Sequence, residues 1–291
     1  MKLFRFQVIS KLIIKWLSKT PTVSGFPLSD YERIRHELKS CDVLLVEGKS
    51  RVSRVIKLLT QSPWSHAFLY VGRLHDIEDP EIRKLVAASY TGNLEDQLIV
   101  ESELGVGTVV RPLSLYKDDH IRICRPRNLS HVDGQTIIAY LVHRLGMEYD
   151  VRQIFDLARF LFPWMILPRR WRSSLFTHNA GSATRTVCST IIAHAFQSIQ
   201  FPILPLIKKD EEKGLQLFRR NPKLMVPRDF DYSPYFDIIK YPFVDFSHHS
   251  GYQLLPWSGK AELTGEESQM YLRTEKEIRE ESAAKGETAS N

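Results

Sequence analysis

Three side chains in separate parts of the sequence have the chemistry of a nucleophilic site: Cys188, His66 and Glu101. A thiol becomes a nucleophile when it loses its proton, and a nearby histidine can accept that proton. A carboxylate on the other side of the imidazole can hold the ring in orientation. The three can act together only if the elements that carry them bring their side chains within hydrogen-bonding distance.

Cys188 lies where an amphipathic helix is predicted to begin, in "ATRTVCSTIIAHAF", residues 183–196. Cys188 shares its apolar face with Ile191, Ile192, Ala195, Phe196 and Ile199. Thr184 or Thr186 can cap the helix. At a helix N-terminus the macrodipole favours a thiolate, and exposed N–H groups can hold an oxyanion. A lone cysteine on an apolar face is more often a small core residue, so both interpretations stay open here.

His66 opens the predicted strand "HAFLYVG", which ends at Gly72. A strand can hold an imidazole rigidly, although a single strand histidine more often has a structural role. Glu101 interrupts the apolar strand "LIVESEL", residues 98–104, and a carboxylate in a half-buried strand is costly unless it is paired. Glu103 has the same parity along this strand, so position alone does not separate the two carboxylates as partners of the imidazole.

Consecutive strands dominate the middle of the chain. The strands are predicted at residues 41–48, 64–72, 97–104, 107–113 and 120–126. Consecutive strands with short connections favour an antiparallel sheet. Helical periodicity is clearest at 51–62, at 134–147 and in the helix that carries Cys188.

The motifs around these residues resemble a known family. "SRVIKLLTQSPWSHAFLYVG", "LIVESELGVGTVVRPLSLY" and "TRTVCSTIIAHAF" are similar to the three motifs of permuted papain-like (NlpC-type) cysteine hydrolases, in their YiiX/YebB-like branch. The histidine comes first and the cysteine last, the reverse of papain. The resemblance covers roughly residues 40–205, and "GMEYD" and "RDFDYSPYF" extend it past residue 230.

The resemblance implies an α+β fold, a circularly permuted papain-like fold, in which an antiparallel sheet packs on the helix that carries the nucleophilic cysteine. It implies Cys188 as nucleophile, His66 as general base and Glu101 as the orienting polar group. One departure concerns the first motif, where members of the branch often have Gly-Asp and this chain has Cys41-Asp42. This difference puts a tight turn at the first motif in doubt, but it changes none of the proposed catalytic residues.

The composition divides the chain into four segments. We expect a basic amphipathic segment at 1–37, a catalytic domain at 38–205, an extension that wraps it at 206–257, and a charged, flexible or partly helical tail at 258–291. Residues 3–17 have the spacing of a basic amphipathic helix, which can lie on an anionic membrane or dock on the protein's own core. Residues 160–172 also combine apolar and basic side chains, which suggests contact with an anionic membrane surface. A buried hairpin with a basic rim is the alternative there.

Charge and cysteine content narrow the class of protein. The 291 residues have a formal net charge of +6 and three cysteines, Cys41, Cys124 and Cys188. The sparse cysteines give no disulfide framework, which favours a reducing compartment. We therefore expect a cytoplasmic protein, with peripheral attachment to a membrane as an open possibility. No apolar run reaches the length of a spanning helix, and no motif for nucleic-acid binding is present.

The sequence as a whole predicts a cysteine-dependent hydrolase or acyltransferase. Its substrate would be an amide or ester with an acyl group, cleaved through an acyl-thioester, without a cofactor or metal. A zinc site built from Cys188, His66 and Glu101 is an alternative, but the three lack a compact ligand motif. A second alternative is an inactive membrane-associated binding module of the same fold.

Overall fold

The computed structural model describes residues 27–103, 106–147, 187–210, 214–244, 262–266 and 269–273. Chain contacts divide it into two compact units, Met1–Phe243 and Val244–Asn291. The predictions for residues 1–20 and 160–172, and for the capping threonines Thr184 and Thr186, lie outside the described residues.

The larger unit alternates short helices and strands. In chain order its elements are α1 (Tyr31–Glu37), β1 (Val43–Glu47), α2 (Arg51–Thr60), β2 (His66–Gly72), α3 (Pro80–Ser89), β3 (Leu98–Glu103), β4 (Gly107–Pro112), β5 (His120–Pro126), α4 (His131–Val142), α5 (Val187–Ser198), β6 (Leu206–Asp210), β7 (Gly214–Phe218), α6 (Arg228–Tyr232) and β8 (Phe236–Ile239). Short 3-10 helices lie at Leu74–Asp76, Leu113–Tyr116 and Pro222–Leu224.

The central sheet has six strands in the order β4-β3-β2-β1-β5-β8. Every neighbouring pair in it is antiparallel. The predicted α+β class with an antiparallel sheet is therefore confirmed. The edge strand β8 comes from the segment predicted to wrap the domain, so part of that segment continues the sheet itself.

Both faces of the sheet are buried. Val43 and Leu45 of β1 face a core that includes residues of α3, α4 and α5, whereas Leu44 and Val46 face a second core that contains Ile34 of α1. Burial on both sides explains why these strands read as continuous apolar runs rather than as alternating ones.

The turn before β1 keeps a tight geometry without glycine. Cys41 has a φ of 72°, in the left-handed region that glycine adopts without steric cost. Its N–H donates to the carbonyl of Tyr70 at 2.8 Å, and its thiol donates to the carbonyl of Gly134 at 3.3 Å. The departure from Gly-Asp therefore leaves the turn in place.

Asp42, the next residue, holds a buried ion pair. Its carboxylate accepts from Arg125 Nε at 2.9 Å and from Arg125 Nη2 at 2.7 Å, and also from the N–H of Lys39 at 2.8 Å. Burial raises the pKa of Asp42 although these hydrogen bonds oppose the shift. The carboxylate thus depends on Arg125 for its charge.

We expect Arg125→Met to lower the free energy of unfolding by about 3–5 kcal/mol, because it leaves a buried carboxylate without its partner. Arg127→Met is the matched control, since the Arg127–Asp237 pair is half exposed on both sides and is worth about 0–1 kcal/mol. Urea denaturation of the two variants measures the difference. Equal losses would show that the Asp42 pair contributes no more than a surface ion pair.

The smaller unit has one described feature. Strands β9 (Glu262–Glu266) and β10 (Gln269–Arg273) pair as an antiparallel hairpin. These ten strand positions lie within the charged tail predicted at 258–291.

Among the described residues, no helix is long and apolar enough to cross a membrane.

Candidate active site

His66 is the first residue of β2 and pairs with Val46 of β1. The residue before it, Ser65, donates its N–H to the carbonyl of Val46 at 3.1 Å and accepts from the N–H of Gly48 at 2.9 Å. A Cβ on Gly48 would lie 2.3 Å from the hydroxyl of Ser53, so the turn after β1 has no room for a side chain. These contacts fix the backbone that presents the imidazole.

Glu101, on the neighbouring strand β3, contacts the imidazole directly. His66 Nε2 lies 2.6 Å from Glu101 Oε2, and the side chains are 22% and 5% exposed, respectively. Burial raises the pKa of Glu101, but hydrogen bonds from His66 and Tyr116 and the charge of His66 outweigh it, so the pKa is lowered. Because a carboxylate only accepts, Nε2 carries the proton of this hydrogen bond, which leaves Nδ1 for a second partner.

Tyr116 completes the support of this pair, and the sequence analysis did not identify it. Its hydroxyl donates to Glu101 Oε2 at 2.5 Å, and its ring stacks on His66 with centroids 6.2 Å apart. Burial, together with the charge of Glu101, raises the pKa of Tyr116, so the hydroxyl stays protonated as a donor. Tyr116 ends the 3-10 helix after β4, where no periodicity marks its side chain.

We expect Tyr116→Phe to lower the rate of any reaction at this site by about 10-fold, because Glu101 loses one charge-assisted hydrogen bond. The pKa of Glu101 should also rise, which moves the acid limb of the pH–rate profile to higher pH. Tyr70→Phe is the matched control, since Tyr70 is buried too but bonds to Gln97. A profile of Tyr116→Phe that superimposes on that of the parent protein would contradict the assignment.

Glu103 lies at the end of β3 and turns to solvent. Its carboxylate accepts from Arg111 Nη2 at 2.9 Å, and the side chain is 47% exposed. The structure therefore brings Glu101, and not Glu103, to the imidazole.

Cys188 is the second residue of α5 and is 2% exposed. The helix packs on β2 and β3, with Ile192 and Phe196 fully buried in the core. The hydroxyl of Ser189 donates to the carbonyl of Met225 at 2.6 Å, which ties down the first turn. The thiol is therefore held at a helix start beside the strands that carry His66 and Glu101.

Cys188 acts electrostatically on the pKa of His66, so the thiol lies close to the imidazole. Burial lowers the pKa of His66, but the electrostatic effect of Cys188, together with the hydrogen bond and charge of Glu101, raises it well above its usual value. The raised pKa of His66 favours the imidazolium beside the Glu101 carboxylate. The structure thus brings the three sequence-predicted residues together, with the imidazole bonded to the carboxylate and the thiol close to the ring.

The other two cysteines have the surroundings of core residues. Cys41 and Cys124 are fully buried. Burial, with a smaller contribution from Asp42, raises the pKa of Cys41 to about 12. Burial also raises the pKa of Cys124 well above its usual value, with Asp231 contributing. Among the residues that the structure describes, neither thiol has a histidine partner that would make it a nucleophile.

Within the described ranges, no group of three or more His, Cys, Asp or Glu side chains is arranged to hold a metal ion.

Comparison with known proteins adds little to this geometry. No family model and no curated protein matches the chain. Among solved structures, the chain is similar to the crystal structure of the metalloprotein YiiX, DUF1105, from Escherichia coli O157:H7. The identity is 16% and the TM-score 0.41, with 70% of this chain and 98% of that chain covered. A likeness at this level says nothing about activity, so function has to be argued from the site.

Proposed function

We propose that this protein is a cysteine-dependent hydrolase that cleaves an amide or ester through an acyl-thioester. The observation that carries the proposal is the His66–Glu101 hydrogen bond, with the Cys188 thiol close enough to the imidazole to act on its pKa. A nucleophile, a base and an orienting group in contact are the minimum set for this chemistry. The resemblance of the three motifs to permuted papain-like hydrolases supports the same roles and a papain-like packing.

In the first half of the reaction, the Cys188 thiolate attacks the substrate carbonyl. The N–H of Cys188, in the first turn of α5, is the donor that we propose for the oxyanion, because first-turn N–H groups have no acceptor within a helix. The His66 imidazolium donates its Nδ1 proton to the leaving amine or alcohol. The bond from carbonyl carbon to leaving group breaks, and the acyl group remains on the sulfur.

In the second half, His66 is neutral and can accept a proton from water. The hydroxide that forms attacks the thioester, the carbon–sulfur bond breaks, and the carboxylic acid leaves. An amine or alcohol in place of water would give acyl transfer by the same steps. Glu101 holds the imidazole so that Nδ1 faces the sulfur throughout.

Trapping of the acyl-enzyme tests this proposal. The full-length protein is mixed with p-nitrophenyl esters of short and long acyl chains, quenched with acid, digested and analysed by mass spectrometry. We expect the acyl mass on the peptide that contains Cys188, together with a burst of p-nitrophenol. A folded protein that gives no burst and no acylated cysteine with any ester would contradict the proposal and favour an inactive binding module.

A further inference from the structure

Strands β6 and β7 form a two-stranded ribbon separate from the central sheet. Ile207 pairs with Leu217, and Lys209 pairs with Leu215. Directly paired residues lie on the same face of an antiparallel ribbon, so these four side chains share one face. Ile207 is 60% exposed, Leu215 68% and Leu217 55%.

This apolar face differs from the scattered exposed leucines of an ordinary surface. Single exposed apolar side chains need no explanation, whereas a contiguous group marks a contact surface. A ribbon of two strands also gains little stability by itself. The ribbon face therefore has the properties of a surface that is covered in the working protein.

Basic residues lie within the ribbon and directly after it. Lys208 and Lys209 lie within β6, Arg219 and Arg220 follow directly after β7, and Lys223 lies in the next 3-10 helix. In the sequence, the nearest acidic residues are Asp210, Glu211 and Glu212, which follow the two lysines. Apolar side chains next to a group of basic residues are typical of a surface that binds anionic lipid. Two copies of the same basic surface would repel each other, which disfavours self-association.

A cavity of about 310 Å³ lies beside the ribbon, next to the C-terminal end of α5. Its walls include Phe201, Leu204 and Phe218, and Arg219 and Arg220 also line it. In the described part of the chain, the buried Nε of Arg220 has no hydrogen-bond partner. Apolar walls with guanidinium groups at the edge suit the acyl chain and phosphate of one phospholipid.

The cavity also connects the ribbon to the candidate active site through one helix. Gln197 of α5 lines the cavity, and Cys188 lies nine residues earlier, about 14 Å along the helix axis. The cavity and the nucleophile therefore lie near opposite ends of one helix.

We propose that the β6–β7 ribbon docks the protein on a bilayer that contains anionic phospholipid, with Ile207, Leu215 and Leu217 in the interface and the basic residues at the headgroups. This inference does not depend on the hydrolase activity.

Vesicle flotation of the full-length protein tests the proposal. We compare phosphatidylcholine vesicles with vesicles that also contain phosphatidylglycerol. Binding is expected only to the anionic vesicles, and it should fall as salt is raised. The triple variant Ile207→Ser/Leu215→Ser/Leu217→Ser should bind at least about 10-fold more weakly, because it removes the apolar contact.

A matched control replaces three exposed apolar residues outside the ribbon with serine. This variant, Leu58→Ser/Leu85→Ser/Val132→Ser, should bind like the parent protein. Lys208→Glu/Lys209→Glu tests the charge without removing apolar surface, and it should also weaken binding at least about 10-fold. Turnover of a soluble short-chain ester should be unchanged in both ribbon variants, which separates this test from that of the active site.

Three results would overturn the proposal. The first is a parent protein that floats with neither kind of vesicle. The second is a pair of ribbon variants that float as well as the parent, which would assign any binding to another part of the chain. The third is a serine variant that changes the oligomeric state on size-exclusion chromatography with light scattering but leaves vesicle binding intact. That result would make the ribbon a contact between copies of the chain.

Discussion

Cys188→Ala is expected to reduce turnover of an activated acyl ester to the uncatalysed background, a fall of roughly 10⁴-fold or more. The sulfur is the atom that forms the covalent bond to the acyl group, and no other group in the described site replaces it. The burst of leaving group should disappear together with steady-state turnover. Stopped-flow and steady-state measurements on the same ester give both quantities.

Cys124→Ala is the control for the loss of a buried thiol. Cys124 is fully buried, like Cys41, and lies on β5 within the core, so its removal costs stability but not the reacting atom. Full turnover in folded Cys188→Ala would contradict the proposed role. A loss of the same size in Cys124→Ala would show that any disturbance of the core inactivates the protein.

His66→Ala is expected to have the second-largest effect, about 10²–10⁴-fold on turnover, because the site loses its general acid and base. The thiol should also become less reactive near neutral pH. The raised pKa of His66 means that the imidazolium persists there and stabilises negative charge on the sulfur. Alanine removes that positive charge.

The pH–rate profile distinguishes this role from a structural one. With an amide or alkyl ester, whose leaving group needs a proton, activity of the parent protein should fall as pH rises through the raised pKa of His66. This alkaline limb should be absent in His66→Ala. His194→Ala is the control, since His194 lies on the same helix as Cys188 and is only half-buried. This variant should keep the parent rate and the alkaline limb of the pH–rate profile.

Local patterns in the sequence predict the elements that carry the site. β5 has the predicted bounds, 120–126, and β2 begins at His66 within the predicted strand, because β-rich composition and bounding glycines or prolines mark strands. The apolar face of α5 follows in the same way from the spacing of its side chains. These features depend on neighbours in sequence.

Contacts between distant residues account for what the sequence left open. Glu101 and Glu103 lie on the same face of β3. They differ because β3 ends at Glu103, where Arg111 of the neighbouring strand β4 forms an ion pair with it. Tyr116 reaches Glu101 through a 3-10 helix that has no periodic pattern. Strand register and loop geometry decide which carboxylate meets the imidazole and where Tyr116 lies. The sequence of one strand alone specifies neither contact.

Helices α1 and α3 lack a clear signal in the sequence for identifiable reasons. The connection after β2 has no clear periodicity in sequence, yet it holds α3, which Asp79 caps through the N–H groups of Glu81 and Ile82. The seven-residue α1 buries one residue, Ile34, so its apolar pattern is too short to recognise. β8 joins the edge of the sheet beside β5 more than 100 residues later in the chain, a pairing that no local pattern specifies.

The most direct test of the central claim, that His66 activates Cys188, is the rate of iodoacetamide alkylation of each cysteine as a function of pH. Mass spectrometry of the native protein resolves Cys41, Cys124 and Cys188 in one experiment. We predict that Cys188 reacts first, at about pH 7 or below, and that His66→Ala slows it strongly. Cys188 that stays unlabelled until the protein unfolds, or that reacts equally fast without His66, would contradict the claim.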